Sequence, residues 1–206
     1  MSRASRSRKW FDEHRSDAFV KKARATGARS RAAFKLEEIA ARDQLLRPGM
    51  VVLDLGAAPG GWSQHAASKV GDKGLVVAVD RLEMPALAGV EVVLGDMEEE
   101  ATLAEVRQIL GPRKAGLVMS DMAPNLTGVR SRDEAVGERL GELAVEMAEE
   151  FLAPQGNLLV KTFHGRGFEL LRGLMRERFA RVSVRKPEAS RDRSSEIYLV
   201  AKGFGV

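Results

Sequence analysis

The chain has 206 residues, 44% of them apolar, which suits one soluble domain with a substantial core and is short for two. It has no cysteine and only three scattered histidines. Disulfides, thiolate-bound metals and the covalent thiolate adduct needed for C5 methylation of pyrimidines are therefore excluded, and no metal site is expected. The net charge of +4 is uneven: residues 1–35 hold eleven Lys/Arg against three acids, and Arg172–Arg193 holds eight against three. Two separate basic clusters favour a polyanionic partner over a solubilising tail, because phosphate contacts release counterions. No apolar run approaches the roughly 18 residues of a membrane span, and the N-terminus lacks the apolar core of a secretory signal. Asp12, Glu13 and Asp17 speak against an organelle presequence, so a cytoplasmic protein is expected.

In chain order, residues 1–28 read as a basic arm with a short helix around 10–25, ahead of a single domain over 29–206. Ser30 is the expected N-cap of a helix running to Asp43, and Arg47-Pro-Gly49 breaks the chain before a first strand, Val51–Leu55. A helix over Trp62–Val70, strands at Leu75–Val79 and Val90–Leu94, a helix over Ala101–Leu110 and a strand at Gly116–Ser120 follow. Leu140, Leu143, Ala144, Met147 and Phe151 recur at helical spacing within a long helix, Asp133–Leu152, which Pro154-Gln-Gly156 should end. Strand five is Asn157–Thr162, a helix covers Phe168–Phe179, and two strands near Val182–Lys186 and Glu196–Lys202 close the chain. The alternation predicts an α/β fold with a seven-stranded, mostly parallel sheet and helices on both faces. The polar link Lys186–Ser195 is too short for a crossover helix, so the last strand should run antiparallel.

In such sheets ligands sit at the carboxyl ends of the strands, and the turn Gly56-Ala-Ala-Pro-Gly-Gly61 lies at the end of the first. Trp62 stands where a phosphate-binding loop needs lysine, and Ala58 where a dinucleotide fingerprint needs glycine. The remaining reading is the acid-x-Gly-x-x-x-Gly turn of a Rossmann-like S-adenosylmethionine-dependent methyltransferase, opened here by Asp54. It holds the amino-acid half of a cofactor that has no phosphates. Asp80 and Asp96, at the ends of the next two strands, suit the cofactor's ribose hydroxyls and adenine amino group.

The segment Asp121-Met-Ala-Pro-Asn125 lacks the aromatic that base N-methyltransferases use to stack a flipped base. Lys161 ends an apolar strand at the same sheet edge as Asp121, where a lysine must pair with an acid or lose its proton. Such a lysine suits preparation of a weakly acidic ribose hydroxyl.

Ser30-Arg-Ala-Ala-Phe-Lys-Leu36, Asp54–Ser63, Ser120–Asn125, Val160-Lys161, Arg185-Lys-Pro187 and Ser195-Glu196 together resemble the RrmJ/FtsJ family of ribose 2′-O-methyltransferases, in order from about Ser30 to Lys202. The resemblance implies a catalytic tetrad at Lys35, Asp121, Lys161 and Glu196, with Lys161 accepting the proton or organising the hydroxyl. It implies cofactor contacts at Gly60, Trp62, Asp80, Asp96 and Asp121, beside the turn residues Asp54, Gly56 and Gly61. The implied substrate is a uridine of large-subunit ribosomal RNA, naked or in the subunit, gripped by the basic arm and by Arg172–Arg193. A transfer-RNA substrate and a non-catalytic RNA-binding assembly factor on the same fold are the alternatives. Nothing in the sequence demands more than a monomer.

Overall fold

A computed structural model describes residues 18–124, 127–190 and 195–205. Its elements are α1 (Ala18–Thr26), α2 (Ala32–Asp43), β1 (Val51–Leu55), α3 (Gly61–Val70), β2 (Leu75–Asp80), β3 (Val90–Leu94), α4 (Glu100–Leu110), β4 (Ala115–Ser120), α5 (Arg130–Phe151), β5 (Leu152–Phe163), α6 (Arg166–Arg176), β6 (Phe179–Arg185) and β7 (Glu196–Phe204). The seven strands form one sheet in the order β3-β2-β1-β4-β5-β7-β6. β1 pairs in parallel with β2 and β4, and β4 with β5, while β7 runs antiparallel to both β5 and β6. The order reverses at β1 and β4, so a crevice opens beyond their carboxyl ends.

The strands are nearly continuous apolar runs because both faces are covered. Alternate residues divide between two cores: Leu53, Val118, Leu158, Val160 and Leu199 face α4, α5 and α6. Val52, Leu117, Met119, Leu159 and Tyr198 face the other way, against Leu36 and Ile39 of α2 and Trp62 and Ala66 of α3. A third, small cluster joins Ala23 of α1 to Phe34 of α2 and to Ala189, with Phe19 and Phe34 ring centroids 5.9 Å apart. The helix expected around 10–25 is thus seen as Ala18–Thr26, docked on α2; its earlier part and most of the basic arm lie outside the described residues.

Three local expectations are corrected. Ser30 does not cap α2: the cap is Arg31 in the right-handed helical region, with no side-chain bond to the helix end, and the Ser30 hydroxyl is buried with no hydrogen-bond partner among the described residues. Space explains its position, since a Cβ at Gly61 would lie 2.2 Å from Ser30 Oγ. Nor does Pro154-Gln-Gly156 stand between the long helix and strand five, which was expected to begin only at Asn157. α5 passes directly into β5, where Leu152 pairs with Ala115, and the register then shifts so that Asn157 pairs with Leu117. A bulge removes Pro154 from the hydrogen-bond ladder and tolerates its missing donor. Finally, α6 stops at Arg176 rather than Phe179, because Phe179 begins β6 and packs its ring 5.4 Å from that of Phe204.

Candidate active site

The glycine turn connects β1 to α3. Gly56 has φ 71° and Gly60 φ 97°, both in the left-handed region that favours glycine. A Cβ at Gly56 would also come within 2.6 Å of Met122 Cγ, just after β4. The turn is tied to β2 by Gly56 N–H donating to Val79 O at 2.9 Å and Ala58 N–H donating to Asp80 Oδ2 at 2.8 Å. Asp80 Oδ1 also accepts Leu82 N–H at 2.8 Å, so this carboxylate braces the turn from beneath while each oxygen keeps a lone pair for a further donor.

Asp54 is fully buried within β1, where Ser63 Oγ of α3 donates to its Oδ2 at 2.5 Å; its Oδ1 has no hydrogen-bond partner among the described residues. Burial pushes its carboxyl up to about 8, opposed by the Ser63 hydrogen bond and helped by the negative field of Asp121 and Asp80. Asp96 lies two residues beyond the end of β3, accepts Glu98 N–H at 3.0 Å and is ion-paired with Arg81. Trp62 is only 2% exposed, donates from its indole N–H to Ala32 O at 2.9 Å and leans on the Tyr198 ring at 5.8 Å. Its side chain belongs to the core, leaving its backbone N–H at the start of α3 to face the turn.

Across the crevice, Lys35, Asp121, Lys161 and Glu196 come together from α2, the end of β4, β5 and β7. Lys161 Nζ lies 3.0 Å from Asp121 Oδ1 and also donates to the Asp121 main-chain oxygen. Lys35 Nζ donates to Glu196 Oε1 at 2.6 Å. These are two separate ion pairs of largely enclosed side chains, and one residue unassigned from the sequence joins them. The Tyr198 hydroxyl lies 3.0 Å from Glu196 Oε1 and 3.3 Å from Asp121 Oδ1, with its ring fully buried. Its own ionisation is driven far upward, first by burial and then by the charges of Asp121 and Glu196, so it stays a neutral donor. Burial works against the charge of Glu196, but Lys35, the Tyr198 hydroxyl and the more distant Lys161 hold its carboxyl below the ordinary value. The signal for Tyr198 was period two: it stands two residues after Glu196 on one strand, in register with Lys161.

Arg29 was also missed. Its guanidinium donates to Pro85 O and Ala86 O at 2.6 Å each and to Pro59 O at 3.4 Å, clasping the loop after β2 onto the turn.

Two hollows flank this centre. A narrow cleft of about 20 Å³ lies at the turn, lined by Gly56, Ala58, Pro59, Trp62 and Asp121. A larger cavity of about 510 Å³ opens between the ends of β4 and β5 and the first turns of α5 and α6, bordered by Lys161, Thr162, Met122, Phe163, Phe168 and Leu171. Volume alone would seat a cofactor in the larger one. Chemistry points instead to the turn, which combines glycine backbone, a helix start and the orphaned Asp54 Oδ1.

The basic stretch Arg172–Arg193 is less open than its composition suggests. Arg185 makes a two-pronged pair with Asp43 of α2 at 2.6 and 2.7 Å, Arg178 pairs with Glu149 and Glu177, and Lys186 donates to Glu196 O at 2.6 Å. Arg176 and Arg181 make no ion pair with any described residue, and Arg191 and Arg193 lie outside the described residues. Among the described residues no helix is long and apolar enough to cross a membrane.

Comparison with known proteins decides between the readings that this geometry allows. The model of FtsJ-like methyltransferases matches residues 28–204. The chain belongs to that family. A relative from Alkalilimnicola ehrlichii, named ribosomal RNA large subunit methyltransferase E, is 54% identical over 97% of this chain and 96% of its own length. The protein of the same name from Stenotrophomonas maltophilia is 52% identical over 98% and 96%. Among solved structures, a ribosomal RNA methyltransferase from Plasmodium falciparum superposes with TM-score 0.78 at 26% identity, covering 85% of this chain and 98% of that one. Fibrillarin of Aeropyrum pernix, solved with S-adenosyl-L-methionine, shares the fold at TM-score 0.56 and 15% identity, over 82% of this chain and 75% of its own. The FtsJ-like family places this seven-stranded sheet, with its reversed last strand, among methyltransferases.

Proposed function

We propose that this FtsJ-like enzyme transfers the methyl group of S-adenosylmethionine to a ribose 2′-hydroxyl, that of a uridine, in large-subunit (23S) ribosomal RNA as the subunit matures in the cytoplasm. The observation that carries the reading is the doubled ion pair, Lys161–Asp121 and Lys35–Glu196, bridged by Tyr198 beside the glycine turn. When bound, the cofactor supplies an electrophilic methyl group on a sulfonium. Asp54, Gly56, Gly60, Gly61 and the backbone of Trp62 would hold its amino-acid half, Asp80 its ribose and Asp96 its adenine, and Asp121 would contact it as well.

The work of the protein is positioning and proton management. Lys161 Nζ has one bond to carbon and directs two hydrogens to Asp121, at the carboxylate and at the main-chain oxygen. One tetrahedral position remains for the acceptor hydroxyl. There Lys161, having first released its third ammonium proton to solvent so that a lone pair occupies that position, orients the oxygen for in-line attack and takes up the proton that the hydroxyl loses as its bond to the methyl carbon forms. Asp121 balances the charge that results. Lys35 and Glu196 fix the far side of the acceptor, held in register by Tyr198. The basic arm, with Arg176 and Arg181, contacts phosphates around the target and carries no sequence information by itself. The chain acts as a monomer.

The test offers labelled S-adenosylmethionine with large subunits, small subunits, naked ribosomal RNA and transfer RNA, followed by mapping of the modified nucleotide. Label is expected on one ribose of the large-subunit RNA. Label confined to transfer RNA, or found on a base, overturns the proposal.

A further inference from the structure

The glycine turn accounts for the cofactor and the ion pairs for the acceptor hydroxyl, but neither uses the cavity of about 510 Å³ between β4, β5, α5 and α6. We infer that this cavity receives the nucleobase of the very nucleotide whose ribose is methylated. The inference rests on the function proposed above and adds to it where the base goes.

Three observations carry it. The cavity reaches Lys161, so a ribose whose hydroxyl meets Nζ has its base within reach of the hollow. Its size falls within the roughly 300–1,000 Å³ of small-molecule sites. Its wall is apolar over most of its area, among polar groups that include Asp133, Glu134 and Thr162, and carries Phe163 at the end of β5 and Phe168 on α6, whose ring lies 6.0 Å from that of His164. Single bases splayed out of RNA are held by such walls, stacked on rings and bonded along an edge. The segment after β4 has no aromatic to stack a base; folding brings Phe163 from β5 and Phe168 from α6 to the cavity instead.

The polar contact is Glu138. It is half-buried on α5, packed on Gly167 so closely that a Cβ there would lie 2.3 Å from Glu138 Cγ, and it accepts no hydrogen bond from any described residue. A carboxylate only accepts, so it suits a base edge that offers N–H, as the N3 position of uracil does.

Gly137 supplies the test. It lies in α5 on the cavity wall, and a Cβ added there meets nothing within 4 Å. Gly137→Phe therefore starts a ring from an unobstructed Cβ on the wall of the hollow, and replacing glycine inside a helix favours the helix. The variant is expected to keep its melting temperature and its affinity for S-adenosylmethionine while methylation of large subunits falls at least a hundredfold. Ultraviolet crosslinking of wild-type protein to large subunits is expected to join RNA to the peptide holding Phe163 and Phe168, and this crosslink should vanish in Gly137→Phe. Should that variant fold poorly, Phe168→Leu is expected to lower kcat/KM for subunits about tenfold with cofactor binding unchanged. Methylation within twofold of wild type in a folded Gly137→Phe overturns the inference, and so does lost cofactor affinity, which would seat the cofactor in the cavity. Failure of the wild-type protein to methylate large subunits is a separate result and would overturn the function itself.

Discussion

Asp54 is fully buried, and only one of its two oxygens has a hydrogen-bond partner among the described residues. The folded state keeps a proton there up to about pH 8, whereas the unfolded chain gives it up near the ordinary value of 3.8. Below both values the two states are equally protonated, so Asp54 has no effect. Between them the unfolded chain is ionised and the native state is not, so stability is lost as pH rises toward 8 and the full cost persists above it. Asp54→Asn is accordingly expected to gain melting temperature over wild type at pH 8 but not at pH 4. A gap independent of pH would show that burial of this carboxyl is not the source of the difference. Tyr198 is the second residue whose chemistry depends on its neighbours. Tyr198→Phe keeps the ring in the core and deletes the bridge between Glu196 and Asp121, at a stability cost of about 1.5–3 kcal/mol for a hydrogen bond to a charged group. Its expected signature is a roughly tenfold fall in kcat with KM for the cofactor unchanged; an unchanged kcat would make the hydroxyl purely structural. The four charged residues stood out in the sequence because each breaks an apolar pattern or falls in a motif. Tyr198 did not, because a tyrosine in a strand looks like core, and only the pairing of β7 with β5 sets it opposite Lys161.

At the scale of elements, periodicity located every strand and nearly every helix, since apolar runs and helical spacing follow from burial on two faces. What it could not show was competition between neighbours. Pro154 reads as a break, yet the ladder of β4 draws Leu152 into β5 and bulges the proline out. Arg172–Arg193 reads as an open basic surface, yet Asp43 and Glu149 reach it from helices distant in sequence. The turn after β1 is the element on which cofactor binding hangs. Gly56→Ala puts a Cβ into Met122 at a φ of 71°, which costs about 1–3 kcal/mol of backbone strain and pushes the turn off β4. Calorimetry is expected to find cofactor binding at least tenfold weaker in this variant, and unaltered binding would mean that the turn does not touch the cofactor.

The whole molecule presents one reactive edge, with a donor turn on one side of Lys161 and an apolar hollow on the other. Its charge is arranged less simply than composition implied, because much of the carboxyl-terminal basic stretch is spent on internal ion pairs. Arg176 and Arg181 remain for phosphate, so replacing both by Gln should lower the salt slope of subunit binding by about two, one for each phosphate no longer neutralised, while Arg178→Gln leaves the slope alone. An equal effect of all three would mean that the slope reports net charge rather than individual phosphate pairings. Beneath these effects lies the assignment of Lys161, which rests on its place between donor and acceptor. That assignment stands or falls on methyl transfer to large subunits by Lys161→Ala, measured with cofactor affinity in the same preparation. Transfer reduced by at least about a hundredfold, the lower end of what a proton-transfer group contributes, with cofactor affinity within twofold of wild type, is the expected result. Wild-type turnover in that variant would contradict it.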